Sequence, residues 1–460
     1  MKDNKKELNK NNSIEKTWFK FFKRKGYILF FAAIITVFTS CNMVNNKQFS
    51  NNISSGDLRE QHWIDDIDYL HENLPKSHKN LYHIIKEEDF DKEILDLKND
   101  VPKLKDYEIK CRLAQIVASV GDAHTSLNLG FNNSNVYPLK LYWFDADLRV
   151  VTADKDHKDI LGKKLINING IPIDEIMTKV NSLISHENDQ WLNVKNVQYI
   201  MMPDVLKLLS VTSEDKVEFS FEDDSNNISK IELYPSNPTS DNTLKIMDEM
   251  PIKPLRLQFN PDNTTERLYW YKYIPEDKIL YFQYNECIDR KVAKEYGYSD
   301  YESYPNFDDF SNGLLKEIAD NNIDKFVVDL RNNTGGNSTL MTNLIAKLNQ
   351  IDKLKDKGKI FVIVGRQTFS SGVMGAVDFF YDTKAIFYGE STGGNVNGYG
   401  DILTLVLPYS KLHVSYSTKY FQLSDKYKEG FVPDIIIDQS FDHYKQGIDD
   451  VYDAIKSYTN

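Results

Sequence analysis

Three apolar strands mark the C-terminal half of the chain. Uninterrupted apolar runs occur in KFVVDL (325–330), KIFVIVG (359–365) and KAIFYGE (384–390), and each run ends in a glycine-rich turn. Helix-like stretches, STLMTNLIAKL and VMGAVDFFY, follow the first two turns. Repetition of strand, turn and helix is typical of a mainly parallel sheet covered by helices. The pattern therefore predicts the α/β fold class.

The preceding segments have other periodicities. Between 58 and 130, apolar residues recur mostly at helical spacing, as in WIDDIDYLHENL and EIKCRLAQIVASV, which predicts a helical domain. Between 131 and 237, β-forming runs such as LKLYWF and KVEFSFED predominate, and KKLINING-IPIDEI predicts a strand, a tight Asn-Gly turn and a helix. The polar, proline-containing stretch 238–266 is predicted to connect them to a core at 267–460.

The N-terminus has the three-part pattern of an export signal. Nine Lys/Arg and three Asp/Glu give residues 1–26 a net charge of +6, and residues 27–40 carry no charge. The apolar run is shorter than the ~20 residues of a membrane-spanning helix, and it suits a signal-peptide core. Small residues followed by Cys41 resemble the lipobox of bacterial lipoproteins. We expect a signal peptide at 1–40, lipidation of Cys41 and a polar tether at 41–57.

An uncleaved N-terminal anchor is the alternative interpretation of this segment. Under either interpretation the positive flank stays in the cytoplasm, so the body is expected at the extracytoplasmic face of the cell membrane. The net charge of -12 argues against nucleic acid as a partner. Three cysteines cannot form a disulfide framework. Whether Cys111 and Cys287 pair is left open by the sequence.

The second glycine-rich turn, TFSSG, carries the candidate nucleophile. A serine between a buried strand and a helix lies on a sharp turn, and the following N–H groups point toward whatever it attacks. The alternative is that Ser370 or Ser371 only caps the helix. Gly335 and Gly336 in the first turn allow close backbone approach and offer half of an oxyanion hole.

His124, in VGDAHTSL, is the candidate base, with Asp122 two residues away. The alternative is a histidine in a surface loop. The four histidines of the helical segment are spaced unlike any zinc motif, so no metal is expected.

Five motifs occur in a fixed order along the chain: GDAHTSL, VVDLRNNTGG, GRQTFSSG, GESTGG and GFVPDI. Together they resemble the motifs of the tail-specific protease (C-terminal processing peptidase) family of serine peptidases. The resemblance implies a ClpP/crotonase-like catalytic core at 267–460, an N-terminal helical domain at 58–130 and a PDZ-like domain at 131–237. It also implies hydrolysis of exposed polypeptide without a cofactor.

Carried over by motif, the family's serine falls on Ser370. The lysine of the processing-peptidase branch falls on Asn395, so the tricorn-core branch, with a histidine base and a downstream acid, fits better. His124 is then the base, and Asp425 and Glu429 bracket the place of the acid.

The implied oxyanion donors are the N–H groups of Gly335 or Gly336 and of Ser371. The alternative function is a catalytically weak or inactive lipoprotein that binds a ligand or peptide, as some relatives on this fold do, such as interphotoreceptor retinoid-binding protein. Hydrolysis of a non-peptide acyl substrate is a third possibility.

The lipobox-like sequence generates the first prediction. Replacement of Cys41 by serine removes the thiol that would be acylated, so Cys41→Ser is expected to abolish lipid modification. Metabolic labelling with a fatty acid tests it, with Cys111→Ser as the matched control that keeps its label. Labelling that survives in Cys41→Ser would contradict the prediction.

Overall fold

The fold comes from a computed structural model that describes residues 55–130, 135–237 and 242–459. The predicted signal peptide at 1–40, Cys41 and all but the end of the predicted tether lie outside the described residues. Among the helices that the structure describes, none has both the length and the apolar composition needed to cross a bilayer.

Helices form the first part of the described chain, as their apolar spacing predicts. They are α1 (Ser55–Ser77), α2 (Glu87–Asp100) and α3 (Asp106–Ala118). Each buries one apolar face, for example Ile67, Leu70 and Leu74 on α1. A short strand, β1 (Ser126–Asn128), follows the loop that carries His124.

An antiparallel sheet occupies the next segment. Its seven strands are β2 (Leu139–Phe144), β3 (Asp147–Asp154), β4 (Lys164–Ile168), β5 (Ile171–Pro172), β6 (Val217–Glu222), β7 (Ile228–Leu233) and β8 (Thr243–Lys245). The helices between them are α4 (Ile173–Asn181), α5 (Asp189–Tyr199) and α6 (Pro203–Leu208). Strands β4 and β5 are joined through Asn169 and Gly170, whose φ angles of 50° and 75° are those of the turn that an Asn-Gly pair favours.

The segment expected to be a connector contains ordered elements. Strand β8 pairs with β3, and two short helices follow, α7 (Ile246–Glu249) and α8 (Thr264–Leu268).

A second, mainly parallel sheet has six strands in the order β16-β13-β12-β11-β10-β9, with β16 (Ile435–Ile436) at one edge. Its first five strands are β9 (Tyr269–Ile274), β10 (Ile279–Tyr284), β11 (Lys325–Asp329), β12 (Ile360–Val364) and β13 (Ile386–Gly389). The helices around them are α9 (Arg290–Glu295), α10 (Phe307–Asp320), α11 (Thr339–Leu348) and α12 (Ser371–Asp382). Strands β10 to β13 run parallel, which confirms the predicted α/β class.

Both faces of this sheet are buried, which explains the uninterrupted apolar strands. On β11, Phe326 and Val328 face the core formed with α10, α11 and α12, while Val327 faces a second core. The second core is closed by the last helix, whose Val451 and Ile455 are buried. The closing elements of the chain are β16 (Ile435–Ile436), α13 (Phe441–Gln446) and α14 (Asp450–Ser457).

The third glycine-rich turn leads into a long hairpin instead of a helix. Strands β14 (Asn397–Val406) and β15 (His413–Gln422) pair with each other, and β15 also pairs with β1. Apolar residues of the hairpin, including Leu407 and Val414, belong to the core of the N-terminal helices and the seven-stranded sheet. The C-terminal half therefore packs on the loop that carries His124.

Asp66 on α1 forms hydrogen bonds with the tip of this hairpin. Its side chain is fully buried and accepts hydrogen bonds from the backbone N–H groups of Tyr409 and Ser410, both at 2.7 Å. Hydrogen bonds to a charged acceptor are stronger than neutral ones.

Removal of this carboxylate should loosen the hairpin. Asp66→Ala leaves two N–H groups without their acceptor, so we expect the free energy of unfolding to fall by about 2 kcal/mol. Denaturant unfolding measures the change. The matched control is Asp65→Ala on the same helix, where the carboxylate only meets Gln61 at the surface and the expected loss is below about 0.5 kcal/mol. Equal losses in the two variants would contradict the assignment.

Candidate active site

The three glycine-rich turns meet at the carboxyl ends of β11, β12 and β13, where ligand sites of parallel sheets lie. Thr368, in the second turn, links them. Its hydroxyl donates to the carbonyl of Leu330 at 2.7 Å, and its carbonyl accepts the N–H of Gly394 at 3.1 Å. The backbone geometry of all three turns is thereby coupled.

Ser370 occupies the sharp turn between β12 and α12. Its φ of 51° and ψ of -123° lie in a region that favours glycine. Its hydroxyl makes no hydrogen bond with any described residue. The hydroxyl of Ser371, by contrast, donates to the carbonyl of Gly336 at 2.6 Å. The serine that is free to react is therefore Ser370, and it does not act as a side-chain cap of α12.

The two glycines of the first turn, Gly335 and Gly336, differ in whether their N–H group has an acceptor. The N–H of Gly335 donates to Oδ1 of Asn333 at 3.0 Å. The N–H groups of Gly336 and Ser371 have no acceptor among the described residues. A Cβ on Gly335 would lie 2.7 Å from Cβ of Ser370, so this turn runs directly against the serine. The pair of available donors is therefore Gly336 and Ser371.

Cys287 packs against the first glycine-rich turn. Its N–H donates to the carbonyl of Gly335 at 2.7 Å, and a Cβ on Gly336 would lie 2.4 Å from its carbonyl oxygen. The thiol is buried, and burial raises its pKa to about 12, so it is not a nucleophile at neutral pH. Cys287 and Cys111 are both free thiols in the structure.

His124 lies against the residue that precedes the serine. Its ring stacks on Phe369 with centroids 4.6 Å apart, and Phe369 stacks on Trp191 of α5 at 4.0 Å. Trp191 and Phe369 are both buried. Nδ1 of His124 is buried without a hydrogen-bond partner among the described residues.

Asp122 organises the loop around His124. It is buried, and it accepts the N–H of His124 at 2.9 Å, the hydroxyl of Thr125 at 2.5 Å and Nε2 of His78 at 3.1 Å. Nδ1 of His78 accepts the N–H of Asn80 at 3.0 Å, which assigns the proton of His78 to Nε2. Burial opposes the charge of Asp122, but hydrogen bonds from His124 and His78 outweigh it and hold its pKa below the usual range.

Glu187, which the sequence did not single out, is the second carboxylate at this histidine. It lies in the turn between α4 and α5, and Oε2 accepts the N–H of Asn395 at 2.9 Å. Burial, and to a lesser degree the charge of Asp122, raises its pKa to about 7, against the opposing effects of His124 and of backbone N–H donors. No local pattern marks this residue, because its partners lie far away in sequence.

Nitrogen and oxygen atoms of Asp122, His124 and Glu187 all lie within 4.8 Å of one another. One imidazole and two carboxylates are ligand types that divalent metals use. The oxygens of Asp122 already accept three hydrogen bonds, and Glu187 accepts at least one, so these donors compete with any cation at this position.

The predicted acids lie elsewhere. Asp425 is exposed and accepts a hydrogen bond from Gln422 at 3.0 Å. The side chain of Glu429 is exposed, and its carbonyl accepts the N–H of Val396 at 3.0 Å. Neither carboxylate makes a hydrogen bond or an ion pair with His124 in the part of the chain that the structure describes.

Comparison with solved structures shows the fold. Mature CPAF in complex with lactacystin superposes with a TM-score of 0.61 at 10% identity, over 86% of this chain and 97% of that one. A second structure of mature CPAF gives a TM-score of 0.61 at 11% identity, over 86% and 96% of the two chains. The chain therefore has the fold of CPAF.

A weaker similarity is to the photosystem II D1 C-terminal processing protease, with a TM-score of 0.39 at 14% identity, over 84% of this chain and 94% of that one. No family model and no curated protein sequence matches the chain.

The backbone of Ser370 generates a stability prediction. Glycine adopts positive φ without steric cost, so Ser370→Gly should raise the free energy of unfolding by about 1 kcal/mol. Ser338→Gly is the matched control, because Ser338 precedes α11 with φ of -62° and no side-chain cap. There the expected change is a loss of about 0.5–1 kcal/mol. Denaturant unfolding measures the sign of the change in the free energy of unfolding for each variant. A lower free energy of unfolding in both variants would show that the backbone at Ser370 is not strained.

Proposed function

We propose that this protein is a serine endopeptidase that hydrolyses exposed polypeptide through Ser370. The observation that carries the proposal is the strained Ser370, whose hydroxyl has no hydrogen-bond partner among the described residues. The N–H groups of Gly336 and Ser371 likewise have no acceptor there, and His124 stacks on the adjacent Phe369. The shared fold with CPAF and the five ordered motifs support the same assignment. The proposed chemistry uses no organic cofactor and no metal.

In the proposed reaction, Oγ of Ser370 attacks the carbonyl carbon and its proton passes to Nε2 of His124. The oxyanion receives hydrogen bonds from the N–H groups of Gly336 and Ser371, which are already fixed in direction. His124 then returns the proton to the leaving amine, and water hydrolyses the acyl-enzyme by the same route. The hydrogen bond from Ser371 to Gly336 holds the two donors together.

We assign roles to the modules in the same way. The six-stranded sheet with its helices would be the ClpP/crotonase-like core, and α1 to α3 the N-terminal helical domain. The seven-stranded sheet would be the PDZ-like domain, which would hold an extended peptide by strand addition. Lipidation of Cys41 would anchor the body at the extracytoplasmic face of the membrane.

A fluorophosphonate probe tests the nucleophile without knowledge of the natural substrate. In the expected reaction, Oγ of Ser370 bonds to phosphorus, fluoride leaves and His124 accepts the hydroxyl proton. We expect mass spectrometry of the full chain to find the adduct on Ser370. Ser370→Ala and His124→Ala should both lose labelling, because nucleophile and base act as a unit.

His413→Ala is the matched control, because His413 is an exposed histidine on β15, and labelling should be unchanged. A properly folded wild-type protein that is not labelled would contradict the enzyme assignment and favour a protein that binds peptide without cutting it. Equal labelling in wild type and His124→Ala would leave Ser370 reactive but remove His124 as its base.

A further inference from the structure

We propose that strand β14 is a dimer interface, at which two copies of this chain pair edge to edge through residues 402–406. The proposal goes beyond the proposed function and does not depend on it. Three observations carry it: the exposed apolar side chains of this strand, its outward-facing backbone groups, and the match of its sequence to itself in antiparallel register.

Strand β14 lies at the open edge of the small sheet whose strand order is β1-β15-β14. The exposed fraction is 51% for Ile402, 56% for Leu403 and 43% for Val406. Successive side chains of a strand point to opposite faces, so this edge exposes apolar groups on both of its faces. Contiguous exposed apolar residues on a folded protein mark a contact surface.

The backbone of the same residues is available for pairing. The N–H of Leu407 donates to the carbonyl of Leu412, across the hairpin, at 2.9 Å. Because the hydrogen-bonding groups of a strand alternate between its two sides, those of Ile402, Thr404 and Val406 point away from β15. In the part of the chain that the structure describes, no backbone group outside β15 bonds to these three residues.

This edge lacks the features by which natural edge strands avoid self-association, namely charged side chains, bulges and prolines within the strand. Residues 402–410 contain no charged side chain, and Pro408 lies past the end of β14. Just before them, Asp401 is paired with Lys419 at 2.7 Å. A net charge of -12 makes two copies repel each other in general, and the uncharged edge lets them approach without opposing like charges.

A second copy fits this edge because the strand is complementary to itself. In an antiparallel pair centred on Thr404, Ile402 lies opposite Val406 of the partner subunit, and Leu403 lies opposite Leu405 of the partner subunit. The two-fold axis makes each of these apolar pairs occur twice. Leu405 is partly buried against the core of the N-terminal helices, so the incoming leucine would extend that core. The two three-stranded sheets would then join into one.

The same sequence selects one register. Outward-facing residues must lie opposite outward-facing residues, so the neighbouring registers are centred on Ile402 or on Val406. The first would place Asp401 inside the paired segment, opposite Leu403. The second would place Pro408, which has no N–H, opposite Thr404 and lose a hydrogen bond. Thr404 is therefore the residue expected at the two-fold axis.

Sedimentation velocity of the full chain in a mild detergent tests the interface. We expect the wild type to be a dimer. Thr404→Asp places two carboxylates opposite each other at the axis, so its dissociation constant should be at least about tenfold higher. His413→Asp is the matched control, because it adds the same charge at an exposed position of the neighbouring strand β15, and its dimer should persist.

A charge exchange separates specific pairing from a general defect. Thr404→Lys alone should dissociate like Thr404→Asp, since like charges again meet at the axis. An equal mixture of the two variants should form heterodimers, because each pair then brings opposite charges together. Near-ultraviolet circular dichroism checks that both variants are folded.

Crosslinking locates the axis independently. The two Cα atoms of residue 404 would lie about 5.5 Å apart, so Thr404→Cys should be crosslinked between chains by a short bismaleimide. His413→Cys is the matched control, because its counterpart would lie about 20 Å away across four strands, and it should show only the wild-type background. This arm decides where the charged variants fail to fold.

A monomeric wild-type chain would overturn the proposal and leave the edge of β14 to another occupant. A dimer that persists in folded Thr404→Asp, or one that is not crosslinked through Thr404→Cys, would place the interface elsewhere and overturn it as well. Folded Asp and Lys variants that do not recombine would have the same consequence. Fluorophosphonate labelling of Ser370 in the same samples reports on the proposed function separately.

Discussion

The position of Phe369 between two rings is the constraint on which the site depends. Trp191 lies 4.0 Å from it on one side and His124 lies 4.6 Å from it on the other. Stacked aromatic pairs have restricted geometry, and here the stack is buried. Because Phe369 directly precedes Ser370, the stack sets the distance between three segments that are remote in sequence. Displacement of any one ring would move the histidine relative to the serine.

The same stack explains how the chain tolerates an unfavourable backbone at Ser370. A residue with φ of 51° persists only where its surroundings leave it no alternative. On one side, the N–H of Phe369 donates to the carbonyl of Asn333 at 2.9 Å. On the other, Ser371 is bonded to Gly336. The turn is thus held at both ends by the loop that carries Gly336, so the strain at Ser370 and the position of the Gly336 N–H have a common cause.

Much of the fold could be predicted from the sequence because the signals are local. Buried parallel strands have continuous apolar runs, and helices repeat with their own period, so β11, β12, β13 and the N-terminal helices were expected correctly. The hairpin after the third turn was not predicted, because its strands have mixed burial and its partner β1 lies far upstream. Strand β8, which pairs with β3 from within the expected connector, was missed for the same reason.

The candidate site shows the same difference between residues that local motifs mark and residues that only tertiary contacts place. Motif order made Ser370 and His124 candidates, but it could not choose between Gly335 and Gly336, since the choice depends on where the side chain of Asn333 points. Glu187 was invisible to sequence reasoning, because the backbone amide that holds it is 208 residues away. The side chains around His124 come from segments that sequence order does not bring together, so only the three-dimensional structure identifies them.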